Sequence, residues 1–122
     1  MKLFKIIAVG FLVLILNSCA KNSKPGYYHV LLLEYADNTP QQEIINDVLG
    51  FNKISDVINV AMGKIKPNER NTFSNFNYSV VLTFKNQQGL ENYLKHPYHV
   101  KIYNKHEPYI KAIYTADFDA LK

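Results

Sequence analysis

The sequence predicts an α+β domain of ferredoxin-like order, strand-helix-strand-strand-helix-strand (βαββαβ), folded as a four-stranded antiparallel sheet with the helices on one face. Two observations carry this. Four runs rich in aliphatic and aromatic residues read as strands, and two stretches with apolar residues three and four apart read as helices. Their order then places one helix between the first two strands and the other between the last two.

The first strand is "YYHVLLLEY", Tyr27–Tyr35, bounded by Pro25-Gly26 and by "ADNTP". Alternation sets His29, Leu31, Leu33 and Tyr35 on one face and Tyr28, Val30, Leu32 and Glu34 on the other. Both faces are mostly apolar, so both need cover. The first helix follows, with Thr39 as N-cap, Pro40 at the first helical position and Gln42 completing a capping box. Ile44, Ile45, Val48 and Leu49 form its stripe, and Gly50 is its stop signal. A second strand spans about 56–65, followed by a polar loop over 66–75.

The third strand, 76–84, alternates well: Phe76, Tyr78, Val80, Leu82 and Phe84 share one face, and Asn77, Ser79, Val81 and Thr83 the other. Asn77-Tyr78-Ser79 fits a glycosylation acceptor pattern, which at mid-strand is a chance match. The second helix runs from Gln87 to about Lys95 on a stripe of Leu90, Tyr93 and Leu94. Pro97 interrupts it and opens a new helical turn, continued to about His106, with His99, Val100 and Tyr103 on one side. The last strand is 109–118. No internal repeat or low-complexity segment appears.

The formal charge is +4, and without Lys2 and Lys5 there remain 12 basic against 10 acidic residues, scattered along the chain. A nucleic-acid footprint needs basic residues gathered on one face, so nucleic acid is not an expected partner. Residues 1–18 read as a signal peptide: two lysines, then an eleven-residue uncharged run, Ile6 to Leu16. As a helix that run rises only about 16 Å, roughly half a bilayer core. "LNSC" resembles the bacterial lipoprotein signal, which implies cleavage before Cys19 and diacylation of its sulfur. A plain signal peptide with a chance cysteine is the alternative. Residues 19–26 are then the lipidated cysteine and a short tether, and 27–122 the domain. The expected location is the cell envelope. Ala20 and Lys21 carry no acidic retention signal, which favours the outer membrane where two membranes exist.

The domain resembles the stress-responsive A/B barrel (Dabb) family. Four segments carry the likeness: "HVLLLEY" in the first strand, "GKIKPNE" after the second, "YSVVLTF" in the third, and "LENYLKHPYHVKI" across the second helix and its break. The resemblance implies a homodimeric α+β barrel, two sheets face to face with Tyr28, Val30, Leu32, Val81 and Thr83 between them, and a stress-related role. One plant branch resembles a polyketide cyclase. Carried over, His99 takes the position of the catalytic base and Tyr93 that of the tyrosine that orients it or binds substrate. His29 matches a pocket histidine, and Tyr78 stands where that branch has another histidine. The implied pocket, between sheet and helices, would be lined by His29 and Tyr78 and bind a small apolar or aromatic molecule.

The residues themselves leave three readings open: a binding pocket, a cyclase- or lyase-type enzyme with a histidine base, and a structural interaction module. His96 and His99 lie three apart, but Pro97 breaks the helix between them, so they make a poor metal pair. No metal or cofactor is expected. Haem, with His99 or His106 as axial ligand, has no specific support. Asp117 and Asp119 are expected to be solvated at the strand end.

Overall fold

A computed structural model of the chain describes residues 20–67, 70 and 75–122. The signal segment and Cys19 lie outside the described residues, as does part of the 66–75 loop. The elements are β1 (Tyr27–Tyr35), α1 (Gln41–Leu49), β2 (Val57–Lys64), β3 (Tyr78–Phe84), α2 (Gln87–Lys95), α3 (Pro97–His106) and β4 (Ile110–Asp119). The sheet order is β2-β3-β1-β4, and each neighbouring pair is antiparallel. This is the expected ferredoxin-like α+β fold.

The two central strands, β1 and β3, set the register. His29 lies opposite Leu82 on one side and Asp117 on the other, and Leu33 lies between Tyr78 and Ile113. One sheet face therefore gathers Leu33, Tyr35, Tyr78, Val80, Leu82 and Phe84 against Ile44, Val48, Phe51, Leu90, Tyr93 and Ile102 of the helical layer. Each fully buried side chain of this size contributes roughly 1.5–3 kcal/mol. A register irregularity between Val57 and Asn59 shifts the alternation of β2, so that Val60 and Met62 pack against this core. The opposite face is open. There Tyr28 stacks on Phe118 with ring centroids 5.2 Å apart, and Tyr114 and Phe118 remain 56% and 48% exposed.

One local signal is overridden and another is met in an unexpected way. Thr39 does not cap α1: Pro40 occupies that position without a side-chain bond, and the Thr39 hydroxyl is buried with no partner. The Thr39 N–H instead closes a turn onto the Ala36 carbonyl at 3.1 Å. Gly50 does end α1 as its C-cap, but in right-handed helical conformation (φ -62°), so the chain runs straight on into a 3-10 turn over Gly50–Lys53. Its missing side chain has another use. A Cβ there would collide with the Tyr98 hydroxyl, which donates to the Asp47 carbonyl at 3.0 Å.

Between α2 and α3 the chain turns at His96, whose extended backbone (ψ 135°) is the conformation a following proline favours. His96 Nδ1 accepts the Tyr98 N–H at 3.1 Å, so this histidine is the cap of α3. Asn86 caps α2 in the same way, accepting the Gly89 N–H at 3.1 Å.

The two polar residues before the helices should behave oppositely. Asn86→Ala is expected to lose about 1 kcal/mol in urea unfolding. Thr39→Val removes a buried hydroxyl that bonds to nothing and should be neutral or stabilising. A comparable loss in both would restore Thr39 as a working cap.

Candidate functional site

The turn at His96 folds α3 back so that His99 lies on Tyr93, ring centroids 4.4 Å apart and inclined at 51°. Phe51 approaches the same imidazole at 5.7 Å and Tyr103 at 6.4 Å. His99 Nδ1 is 3.0 Å from the Leu94 carbonyl. A carbonyl only accepts, so Nδ1 carries the proton and Nε2 keeps a free lone pair. Burial, reinforced by the nearby His29 and His96, holds the His99 pKa below its usual value despite the Leu94 hydrogen bond. The ring is therefore neutral at neutral pH. Burial pushes the Tyr93 phenol well up, so Tyr93 keeps its proton.

These two rings form one wall of a cavity of about 60 Å3 between the sheet and α1 and α3. Leu33, Val48, Phe51, Ile102 and Ile113 make it apolar, while Tyr35, Tyr103 and His106 stand with Tyr93 and His99 as its polar members. Drug-sized sites run to about 300–1,000 Å3. This one suits a molecule of a few heavy atoms.

Of the four residues assigned to the pocket, Tyr93 and His99 come together at the cavity. His29 and Tyr78 share the helix-facing side of the sheet but stand behind its lining. His29 touches Tyr93 edge-on at 6.1 Å, and its Nδ1 pairs with the Asp117 carboxylate across β1 and β4. Asp117 is thus a partner of a buried histidine rather than a merely solvated strand-end residue. Tyr78 packs edge-on against Tyr35 at 5.7 Å, with its hydroxyl buried and unpartnered.

A further cluster at the cavity is not apparent from the sequence. His106 Nε2 lies 3.0 Å from Asp47 Oδ2, and its Nδ1 lies 3.3 Å from the Tyr35 hydroxyl. Lys105 joins Asp47 at 2.8 Å and Glu43 at 2.6 Å. Burial opposes the charge on Asp47, but hydrogen bonds from Lys105 and His106 outweigh it and hold the carboxyl below its ordinary range. The Tyr35 phenol is pushed up to about 12 by burial, with Tyr78 and Asp47 adding to the effect. Asn77 fixes Tyr35 at the end of β1: its side chain accepts the Tyr35 N–H and donates to the Tyr35 carbonyl, both at 3.0 Å. His106 follows His99 by seven residues, two helical turns along one face, and that spacing is the one sequence signal for it.

With both ring nitrogens engaged, His106 as placed is not available to a haem iron. Among the described residues no group of three or more His, Cys, Asp or Glu side chains is arranged to hold a metal ion. No described helix is long and apolar enough to cross a membrane.

Comparison with known proteins bears on the whole domain. Residues 27–120 match the family described as the Stress responsive A/B Barrel Domain. No curated protein matches the chain by sequence. Among solved structures, an Arabidopsis thaliana protein superposes with a TM-score of 0.69 at 22% identity, covering 79% of this chain and 96% of its own. The hydroxynitrile lyase of Passiflora edulis gives 0.71 at 16% identity, over 80% and 95%. A dimeric protein of unknown function and ferredoxin-like fold from Bacteroides fragilis gives 0.61 at 20% identity, over 80% and 99%.

The lowered pKa of His99 has a consequence for stability. Near pH 6.5 the unfolded ring takes up a proton that the folded ring refuses, so the unfolded state binds more protons. Stability then falls as pH drops from about 6.5 through the lower folded value. His99→Gln should flatten this part of the curve when unfolding free energies are compared between about pH 5 and 7.5. Equal slopes would mean that the ring is solvated.

Proposed function

The chain belongs to the stress-responsive A/B barrel domain family, and on that footing we propose that it is a homodimeric, lipid-anchored binding protein of the bacterial cell envelope whose cavity takes a small, mostly apolar molecule. The observation that carries the ligand reading is the cavity itself. An apolar hollow with two histidines and three tyrosines at its walls has the composition of a small-molecule site. A purely structural core would have filled it, since interiors pack to crystal-like density.

The open sheet face supports the dimer. Tyr28, Tyr114 and Phe118 stand there with half-buried Val30, Leu32 and Val81, an apolar surface that a second sheet would cover. Relatives of this fold described as dimeric fit the same reading. "LNSC" supports the anchor, and two acyl chains on Cys19 would hold the domain stably at a membrane.

A second reading has its own observation. The neutral His99 ring, with Nε2 free, has the form of a general base, and Tyr93 beside it keeps a proton to donate. The hydroxynitrile lyase among the structural neighbours makes lyase chemistry the natural enzyme alternative. In that reading His99→Gln abolishes turnover, whereas His96→Gln, which removes only the cap of α3, lowers it far less.

Anchoring and assembly are separable. Cys19→Ala should leave the membrane fraction or accumulate as uncleaved precursor. Identical fractionation of mutant and wild type, with no acyl mass on the wild type, would remove the anchor. The unlipidated Cys19→Ala protein should sediment as a dimer at micromolar concentration. Adding Val81→Lys places an unpaired charge in the inter-sheet layer and should dissociate or unfold it. A monomer before that second change would sink the dimer.

A further inference from the structure

Hydrogen-bond inventory determines what the cavity can recognise. The Leu94 carbonyl fixes the proton of His99 on Nδ1, and the Asp47 carboxylate fixes that of His106 on Nε2. With each ring in its neutral form, both present a bare nitrogen on the other side. The one on His106 is met by the Tyr35 hydroxyl at 3.3 Å, which must donate because Nδ1 can only accept. The Tyr35 oxygen has then spent its single hydrogen and retains lone pairs, and Tyr35 lines the cavity.

We propose that Tyr35, His106 and Asp47 form a hydrogen-bond relay that receives the hydroxyl of a small aliphatic alcohol bound in this cavity. The proposal rests on the reading of the cavity as a ligand site. The ligand O–H donates to Tyr35 Oη, the Tyr35 O–H donates to His106 Nδ1, and the His106 Nε2–H donates to Asp47. Each link polarises the next. The order is hydroxyl, imidazole, carboxylate, as in a serine-histidine-aspartate triad, with a phenol at the receiving end. Lys105 keeps Asp47 ionised and aligned. A ketone of the same size brings only an acceptor to Tyr35 and is mismatched there. Tyr35 touches the ligand. His106 and Asp47 act through it as positioning residues.

The test uses the full-length, 15N-labelled protein with 2-butanol and 2-butanone, which share one carbon skeleton and differ at a single group. At pH 7.5, long-range 1H–15N spectra should show a bare Nδ1 on His106 and a bare Nε2 on His99. A proton on His106 Nδ1 would overturn the relay. In ligand titrations the alcohol should bind about fivefold to tenfold tighter than the ketone, the size of one hydrogen bond. Tyr35→Phe should abolish that preference and leave ketone affinity within about twofold. Asp47→Leu should weaken the preference, while Asp47→Asn, which still accepts the Nε2–H, should retain it. An alcohol preference unchanged in Tyr35→Phe would overturn the relay and leave the binding site standing. If neither probe binds the wild type, the ligand site falls and the relay with it. Should Tyr35→Phe fail to fold, the tautomer spectra and the wild-type preference decide.

Discussion

The break at His96–Pro97 is the constraint on which the site depends. Ending α2 there leaves its last carbonyls without helical partners. The His96 N–H turns back to the Tyr93 carbonyl at 3.0 Å, and His99 Nδ1–H satisfies the Leu94 carbonyl. The bond that closes the helix end is thus the bond that selects the tautomer of His99. An uninterrupted helix would satisfy the Leu94 carbonyl internally and carry His99 away from Tyr93. The direction imposed on α3 also brings His106, at its far end, onto Tyr35 and Asp47. One proline and one histidine cap therefore place both imidazoles.

The cavity survives because its polar members are supported from behind. His106 is buried, but it donates to a carboxylate that Lys105 neutralises at the surface. An unpaired imidazole at that depth would cost a few kcal/mol. His29 is supported in the same way by Asp117. Three buried hydroxyls left without partners, on Thr39, Tyr78 and Thr83, stand outside the cavity lining. Gly50 contributes from a distance. It lets Tyr98 reach the carbonyl of Asp47, which ties the end of α1 to α3 and keeps Asp47 beside His106.

Much of this architecture was legible in the sequence, and the rest was not, for identifiable reasons. β1 and β3 were readable because they are dense apolar runs bounded by turn residues, as suits the two strands paired on both sides. β2 was readable only in outline, since its irregularity at Val57 and Asn59 resets which residues face inward. Thr39 and Gly50 carry correct local chemistry for a cap and a stop. Tertiary contacts reassigned Thr39 to a buried turn and gave Gly50, which still ends α1, a close approach as well. Tyr93 and His99 could be paired in advance because both sit in the one contiguous segment that carries the family likeness, and the structure brings their rings together. The Tyr35–His106–Asp47 chain was not, because its members lie 71 and 59 residues apart and only the register of β1 and the turn of α3 bring them together.

The central claim is that the hollow beside His99 and Tyr93 is a real, apolar and accessible site rather than a slack region of the core. A crystal of the protein pressurised with xenon tests it most directly, because dry apolar cavities take up xenon. The account predicts a xenon atom in contact with Phe51, Leu33 and Ile102. Closed packing of Tyr103, Ile102 and Ile113 over that space, with no xenon in it, would contradict the account.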